Sequence, residues 1–193
     1  ARYRPLDVPK RWDLSYLGTY SPDRQPMLEM LLVATARACP ERRFVVAGPQ
    51  YPDDIDWPAN VERIDHLPPA DHPEFYAASR FTLNVTRADM IAAGWSPSVR
   101  LFEAGACGTP IISDRWDGIE DVFEPGEQIV LADTTEQVIA ALEMDATDLG
   151  TAAREAVLAH HSAARRAEQL EHDLASEREG RSITISSKRV PAS

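Results

Sequence analysis

The chain has 193 residues, 44% of them hydrophobic, and carries a formal net charge of −11. That length and apolar content suit one folded domain with a substantial core. The acidity excludes broad contact with nucleic acid or an anionic membrane surface, while leaving room for a local basic pocket. No apolar run approaches about eighteen residues and no basic-plus-apolar leader opens the chain, so we expect a cytoplasmic protein without a transmembrane segment.

Residues 1–12, with Pro5 and Pro9 among polar neighbours, read as a linker from a missing N-terminal domain. Leu14 to Leu17 is the first strand, ended by Gly18. Asp23 to Cys39 follows as a helix with Met27, Met30, Leu31, Ala34 and Ala38 on one face, stopped by Pro40. Phe44 to Ala47 is an apolar strand closed by Gly48 and Pro49, and Val61 to Ile64 a shorter one. A brief helix from Pro73 to Ser79 precedes the strand Phe81 to Val85. Ser96 as N-cap and Pro97 at the first helical position open the next helix. Pro110 to Ser113, a helical turn from Ile119 to Phe123 and Gln128 to Leu131 come next. Thr134 or Thr135 then caps a helix carrying Val138, Ile139 and Leu142.

Strands apolar on both faces, alternating with helices, define an α/β protein: a Rossmann-like, doubly wound parallel sheet. It spans residues 13–145, with C-terminal helices over 146–179. Residues 180–193 form a tail, either disordered or packed on the upstream domain. Ligands of such sheets bind at the carboxyl ends of the strands, where Gly18, Gly48, Arg87 and Asp114 fall.

The stretch from Ser96 to Asp114 holds the sharpest chemical signal. The amides of Ser98 and Val99 face out of a helix end, where the macrodipole favours an anion. Glu103 lies about one and a half turns further on, too remote to cap the helix but able to reach what its end holds. A phosphate at the amides and a hydroxyl-bearing group at Glu103 together describe a nucleotide. Each residue also has a plainer role. Arg100 and Glu103, three apart, make an ordinary surface ion pair. Arg24 is a solvated first-turn cation or a phosphate ligand, and Arg87 sits at a strand end on the ligand side. His66 is a loop residue or the border of a base pocket, and Trp95 staples its helix or stacks on a sugar or base. Cys39 and Cys107 read as reduced, buried thiols. His160 and His161 have no further ligand at metal spacing. No Ser–His–Asp order, P-loop or zinc spacing appears, so no metal is expected.

The run from Ser98 to Ile112 resembles the hallmark segment of the group 1 glycosyltransferases with the GT-B fold, and more narrowly their spore-maturation-protein-like branch. The resemblance extends through Asp114 to Gly126 and takes in Leu17 to Tyr20 and Val46 to Pro49, so roughly residues 13–145. It implies the C-terminal half of a GT-B fold, which holds the nucleotide part of an activated sugar. By the same resemblance Glu103 binds the ribose hydroxyls, Ser98 and Val99 meet the diphosphate, and Arg24 occupies the place of a basic residue after the first strand. Two positions depart from the pattern. The acid usual eight residues before Glu103 is Trp95, and the arginine usual after the first-strand glycine is Thr19, leaving Arg87 or Arg100 to replace it.

The implied activity is transfer of a sugar from a nucleotide-diphosphate sugar to an unknown acceptor, with no separate cofactor and no obligatory metal. The acceptor site would lie mainly on the missing N-terminal domain, making this chain inactive alone. No catalytic residue is assigned. A nucleotide-sugar epimerase of the same fold and a non-catalytic scaffold are the alternatives, the latter favoured by Trp95.

Overall fold

The structure is a computed structural model and describes residues 2–94 and 97–186, with side chains through residue 176. Six strands form one sheet: β1 (Trp12–Leu17), β2 (Phe44–Ala47), β3 (Val61–Ile64), β4 (Ser79–Asn84), β5 (Ile111–Ser113) and β6 (Val130–Leu131). Their order is β3-β2-β1-β4-β5-β6 and every pair is parallel. The chain winds outward on one side of β1 and then crosses to build the other. The carboxyl ends of β1 and β4 therefore bound the crevice in which such folds take ligands.

Alternation along the strands builds a core on each face. Leu14, Tyr16, Phe44, Val46, Phe81 and Leu83 pack with Leu28, Leu31, Leu32, Val138 and Leu142. Val45, Ala47 and Ile111 turn the other way, onto Tyr76, Leu101, Ala104, Ile129 and Ala153. Helices α1 (Gln25–Leu28) and α2 (Ala34–Ala38) are joined by a π turn at Glu29–Val33, where the sequence leads one to expect a uniform helix. Side-chain donors enter the ladder there. Thr135 Oγ1 donates to the Met30 carbonyl at 2.7 Å and Thr35 Oγ1 to that of Leu31 at 2.8 Å.

Helices α3 (His72–Ala77), α4 (Ala88–Ala93) and α5 (Val99–Ala106) follow, then α6 (Thr135–Leu142) and α7 (Thr147–Ala156). Thr134 is the N-cap of α6, its side chain accepting from the Gln137 amide. The start of α5 differs from expectation. Its cap is Ser98, whose backbone is extended and whose hydroxyl accepts from the Arg100 amide, so the helix begins two residues after Pro97. Ser96, the expected cap, lies outside the described residues. Both cysteines are buried and free.

Residues Ala1–Val157 form one compact unit and Leu158–Ser193 a second. The second is built on α8 (Ala163–Ser186), so residues 180–186 continue a helix where a tail was expected. Residues 187–193 of that tail lie outside the described residues. Ser162 Oγ accepts from the Arg165 amide at 3.3 Å at the start of α8, and Arg165 pairs with Glu168 at 2.9 Å. No described helix is long and apolar enough to cross a membrane.

Candidate functional site

The floor of the site is made where the loops after β1 and β2 touch. The Gly18 amide donates to the Ala47 carbonyl at 2.8 Å, and the Tyr20 amide to the Pro49 carbonyl at 3.0 Å. A Cβ at Gly48 would stand 2.0 Å from the Gly18 carbonyl oxygen, and Gly48 has φ +141°, so both space and backbone demand glycine. A Cβ at Gly18 would lie 2.6 Å from the Tyr16 hydroxyl and 2.9 Å from Arg100 Nη2. Tyr51 donates to the Gly18 carbonyl at 3.1 Å. Arg63 lies over the Tyr51 and Trp57 rings, 4.2 and 5.0 Å from their centroids, and donates to the carbonyls of Val46 and Gly48. This aromatic and guanidinium packing, anchored on Arg63 of the edge strand β3, holds the two loops in place.

The start of α5 faces that floor. The amides of Ser98 and Val99 have no acceptor among the described residues. Arg100 donates from Nη1 to Ser98 Oγ at 3.2 Å and lies 5.7 Å above the Tyr16 ring centroid, which holds its guanidinium beside Gly18. The expected Arg100–Glu103 ion pair is absent among the described residues. Glu103 instead turns toward α3. Its Oε2 accepts from the Tyr76 hydroxyl at 3.3 Å and lies 3.9 Å from His72 Nδ1. Tyr3, from the first residues of the chain, approaches the same group with its hydroxyl 3.5 Å from His72 Nδ1. Burial first, and the Glu103 carboxylate second, push the Tyr3 phenol well above its ordinary pKa.

Between floor and helix lies a cleft of about 300 Å³, lined by Gly18, Thr19, Gly48, Pro49, His66, His72, Ser98, Val99, Arg100 and Glu103. Seven sequence-selected residues thus meet there: Gly18, Thr19, His66, Ser98, Val99, Arg100 and Glu103. Arg24 stands behind them. It is buried, donates to the Thr19 carbonyl at 2.6 Å, and its Nε has no partner among the described residues. Arg87 is half exposed and faces Asp23 at 3.7 Å; it does not line the cleft. Trp95 lies outside the described residues.

His72, Tyr76, Tyr51, Arg63 and Tyr3 were not visible as functional candidates in the sequence. For His72 and Tyr76 a signal existed, since a spacing of four puts both on one face of a helix. Beside the crevice, Asp114 is 1% exposed and accepts from the Thr86 amide and hydroxyl, each at 2.8 Å, and from Ser113 at 3.3 Å. Burial raises its pKa and these bonds pull it partly back. It anchors the loop that leads into α4. Together the cleft offers two amides without an acceptor among the described residues, a guanidinium and a partly buried carboxylate, which are complementary to an anion joined to a polyol.

The sheet order and the helices on both faces are those of the C-terminal, Rossmann-like half of GT-B glycosyltransferases. Sucrose-phosphate synthase from Thermosynechococcus elongatus matches with a TM-score of 0.68 at 18% identity, over 91% of this chain and 50% of that one. The C-terminal domain of a group 1 glycosyl transferase family protein from Francisella tularensis matches at 0.63 and 15%, over 83% of this chain and 96% of that one. The Anabaena protein HepE, crystallised with UDP and glucose, matches at 0.67 and 16%, over 84% and 48%. The chain thus spans about half the length of the first and third of these. No curated protein sequence matches it. A family described as glycosyl transferase-like matches residues 24–172, and the chain belongs to that family.

Proposed function

We propose that the cleft binds the nucleoside diphosphate portion of a nucleotide-diphosphate sugar, and that the chain is the donor-binding half of a glycosyltransferase. One observation carries this reading: the Ser98 and Val99 amides, without an acceptor among the described residues, converge with Arg100 and Glu103 on one cleft at the carboxyl edge of the sheet. The diphosphate lies at the amides and Arg100. Glu103 takes the ribose hydroxyls, and His66 borders the base. A helix end contributes roughly 0.3–2 kcal/mol toward an anion, so the guanidinium is a needed second donor. Arg24 acts through the Thr19 loop that it holds.

Charge that develops on the leaving diphosphate during sugar transfer is met by these fixed donors, which need no reorganisation. On this reading the sugar goes to an acceptor held mainly by sequence outside this chain, and no separate cofactor or obligatory metal takes part. The segment from Ser98 to Ile112 supports placement within the spore-maturation-protein-like branch. The nucleotide complex of the Anabaena protein supports a nucleotide sugar as ligand.

Calorimetric titration with UDP, GDP and dTDP and their sugars tests the reading. Saturable binding of at least one is expected, and it should weaken about 10- to 100-fold in Glu103→Ala. No saturable binding by any of them, in this chain and in a longer one carrying the upstream sequence, would sink it.

A further inference from the structure

Glu103 reaches the cleft on three rotatable bonds, and a carboxylate free to wander loses affinity when a ligand must order it. Its partners differ in how firmly they are held. His72 lines the cleft, and Tyr3 belongs to the segment before β1, outside any helix or strand. Tyr76 is fully buried. Its ring packs edge-on to Phe75 at 5.9 Å between centroids, and its carbonyl accepts from Thr109 Oγ1 at 2.8 Å. Thr109 follows α5, so a hydrogen bond from that segment fixes the residue whose hydroxyl meets Glu103 on α5.

We propose that Tyr76 is a positioning residue: its buried hydroxyl, with His72 beside it, fixes Oε2 of Glu103 and so aims the carboxylate at vicinal hydroxyls of the ligand. The inference rests on the nucleotide reading of the same cleft. Burial, reinforced by the Glu103 charge, keeps the phenol protonated well above the ordinary tyrosine range, so it remains a donor at any working pH. A supporting residue of this kind acts through another, and removing it loosens a contact without deleting it.

Tyr76→Phe removes one oxygen and keeps the ring. The test is titration of the wild-type and variant chains with UDP and GDP and with their 2′,3′-dideoxy counterparts, each chain also being melted thermally. Tyr76→Phe should weaken the bound ribonucleotide roughly fivefold while leaving the dideoxy ligand within about twofold. Equal weakening of both ligands, or no weakening, overturns the positioning role while leaving the nucleotide reading intact. Should Tyr76→Phe fail to melt cooperatively, His72→Leu takes its place and should narrow the ribose-to-dideoxy ratio by a smaller factor; an unchanged ratio overturns the inference. A wild-type chain that binds neither ribonucleotide overturns the nucleotide reading and this inference with it.

Discussion

The two edges of the sheet are both hollowed, and they are chemically opposite. The larger hollow, about 750 Å³, lies at the amino edge, bordered by Lys10, Arg80, Glu143, Asp145 and Arg154. Most of its charges are answered within the protein, the Arg154 Nε being the exception among the described residues. Lys10 Nζ donates to the Ala77 and Ser79 carbonyls at 2.8 Å each, and Arg42 pairs with Glu143 at 2.5 Å. Nearby Asp13 accepts from the Arg43 amide at 2.9 Å, Arg80 at 3.0 Å and Arg42 at 3.3 Å. The carboxyl edge holds less than half that volume, but two of its amides have no acceptor among the described residues, and Glu103 there meets the Tyr76 hydroxyl and the His72 ring rather than a guanidinium. Hydrogen-bonding capacity left open, rather than volume, marks where a polar ligand belongs.

Two acids show the same contrast. Burial opposes ionisation of Asp13, but the Arg43 amide and the two guanidiniums outweigh it and hold its carboxyl below the usual range. Asp114, at the other edge, meets only hydroxyls and an amide, and burial keeps its pKa raised. The signs therefore oppose. Asp13 contributes stability that is present above the unfolded value near about 4 and is lost as pH falls through its lowered pKa. Asp114 is a cost while ionised, and that cost is relieved as pH falls through its raised pKa.

The contrast can be broken most severely at Gly48. Gly48→Ala forces a Cβ onto the Gly18 carbonyl at a backbone angle that L side chains rarely adopt, and should destabilise by roughly 3 kcal/mol or more in chemical denaturation. Glu103→Ala should lower ribonucleotide affinity about 10- to 100-fold by calorimetry, the scale of a hydrogen bond to a charged group. Its denaturation midpoint should move little. Asp13→Asn should do the reverse, costing about 1–2 kcal/mol of stability at neutral pH with nucleotide affinity unchanged. Its deficit should shrink in denaturation curves recorded below about pH 4, because the unfolded wild-type carboxyl takes up a proton there and the folded one follows only at its lowered pKa. A deficit independent of pH would remove the charge from the explanation. The smallest effect separates two arginines: Arg100→Ala should weaken nucleotide binding about three- to tenfold, and Arg87→Ala less than about twofold, in the same titration. A larger loss at Arg87 would carry the diphosphate away from the start of α5 toward α4.

Much of this fold was legible because apolar strands are short, continuous and punctuated. Gly18 ends the ladder at β1 and Gly48 at β2, and all six strands fall where the apolar runs lie. The π turn was not legible, since Thr35 is an ordinary helix residue by sequence and the second donor, Thr135, lies more than a hundred residues away. At the site, the amides and Glu103 share one short segment and so show in the sequence. The Tyr76 hydroxyl shows only as a helix face shared with His72, because the packing of α3 against α5 is what brings it to Glu103. Arg87 occupies the expected strand end, but a local acid, Asp23, holds it near α4.

The contact between Gly18 and Gly48 makes the bottom of the cleft out of peptide groups. A surface of that kind offers the same donors and acceptors whatever side chains surround it, and mutation cannot recolour it without breaking it. Side chains that could tell one ligand from another therefore stand around that bed, as Thr19 and His66 on the loops and as His72, Arg100 and Glu103 on α3 and α5. The cleft has the build of a lock, a fixed bed of backbone with its tumblers set around it.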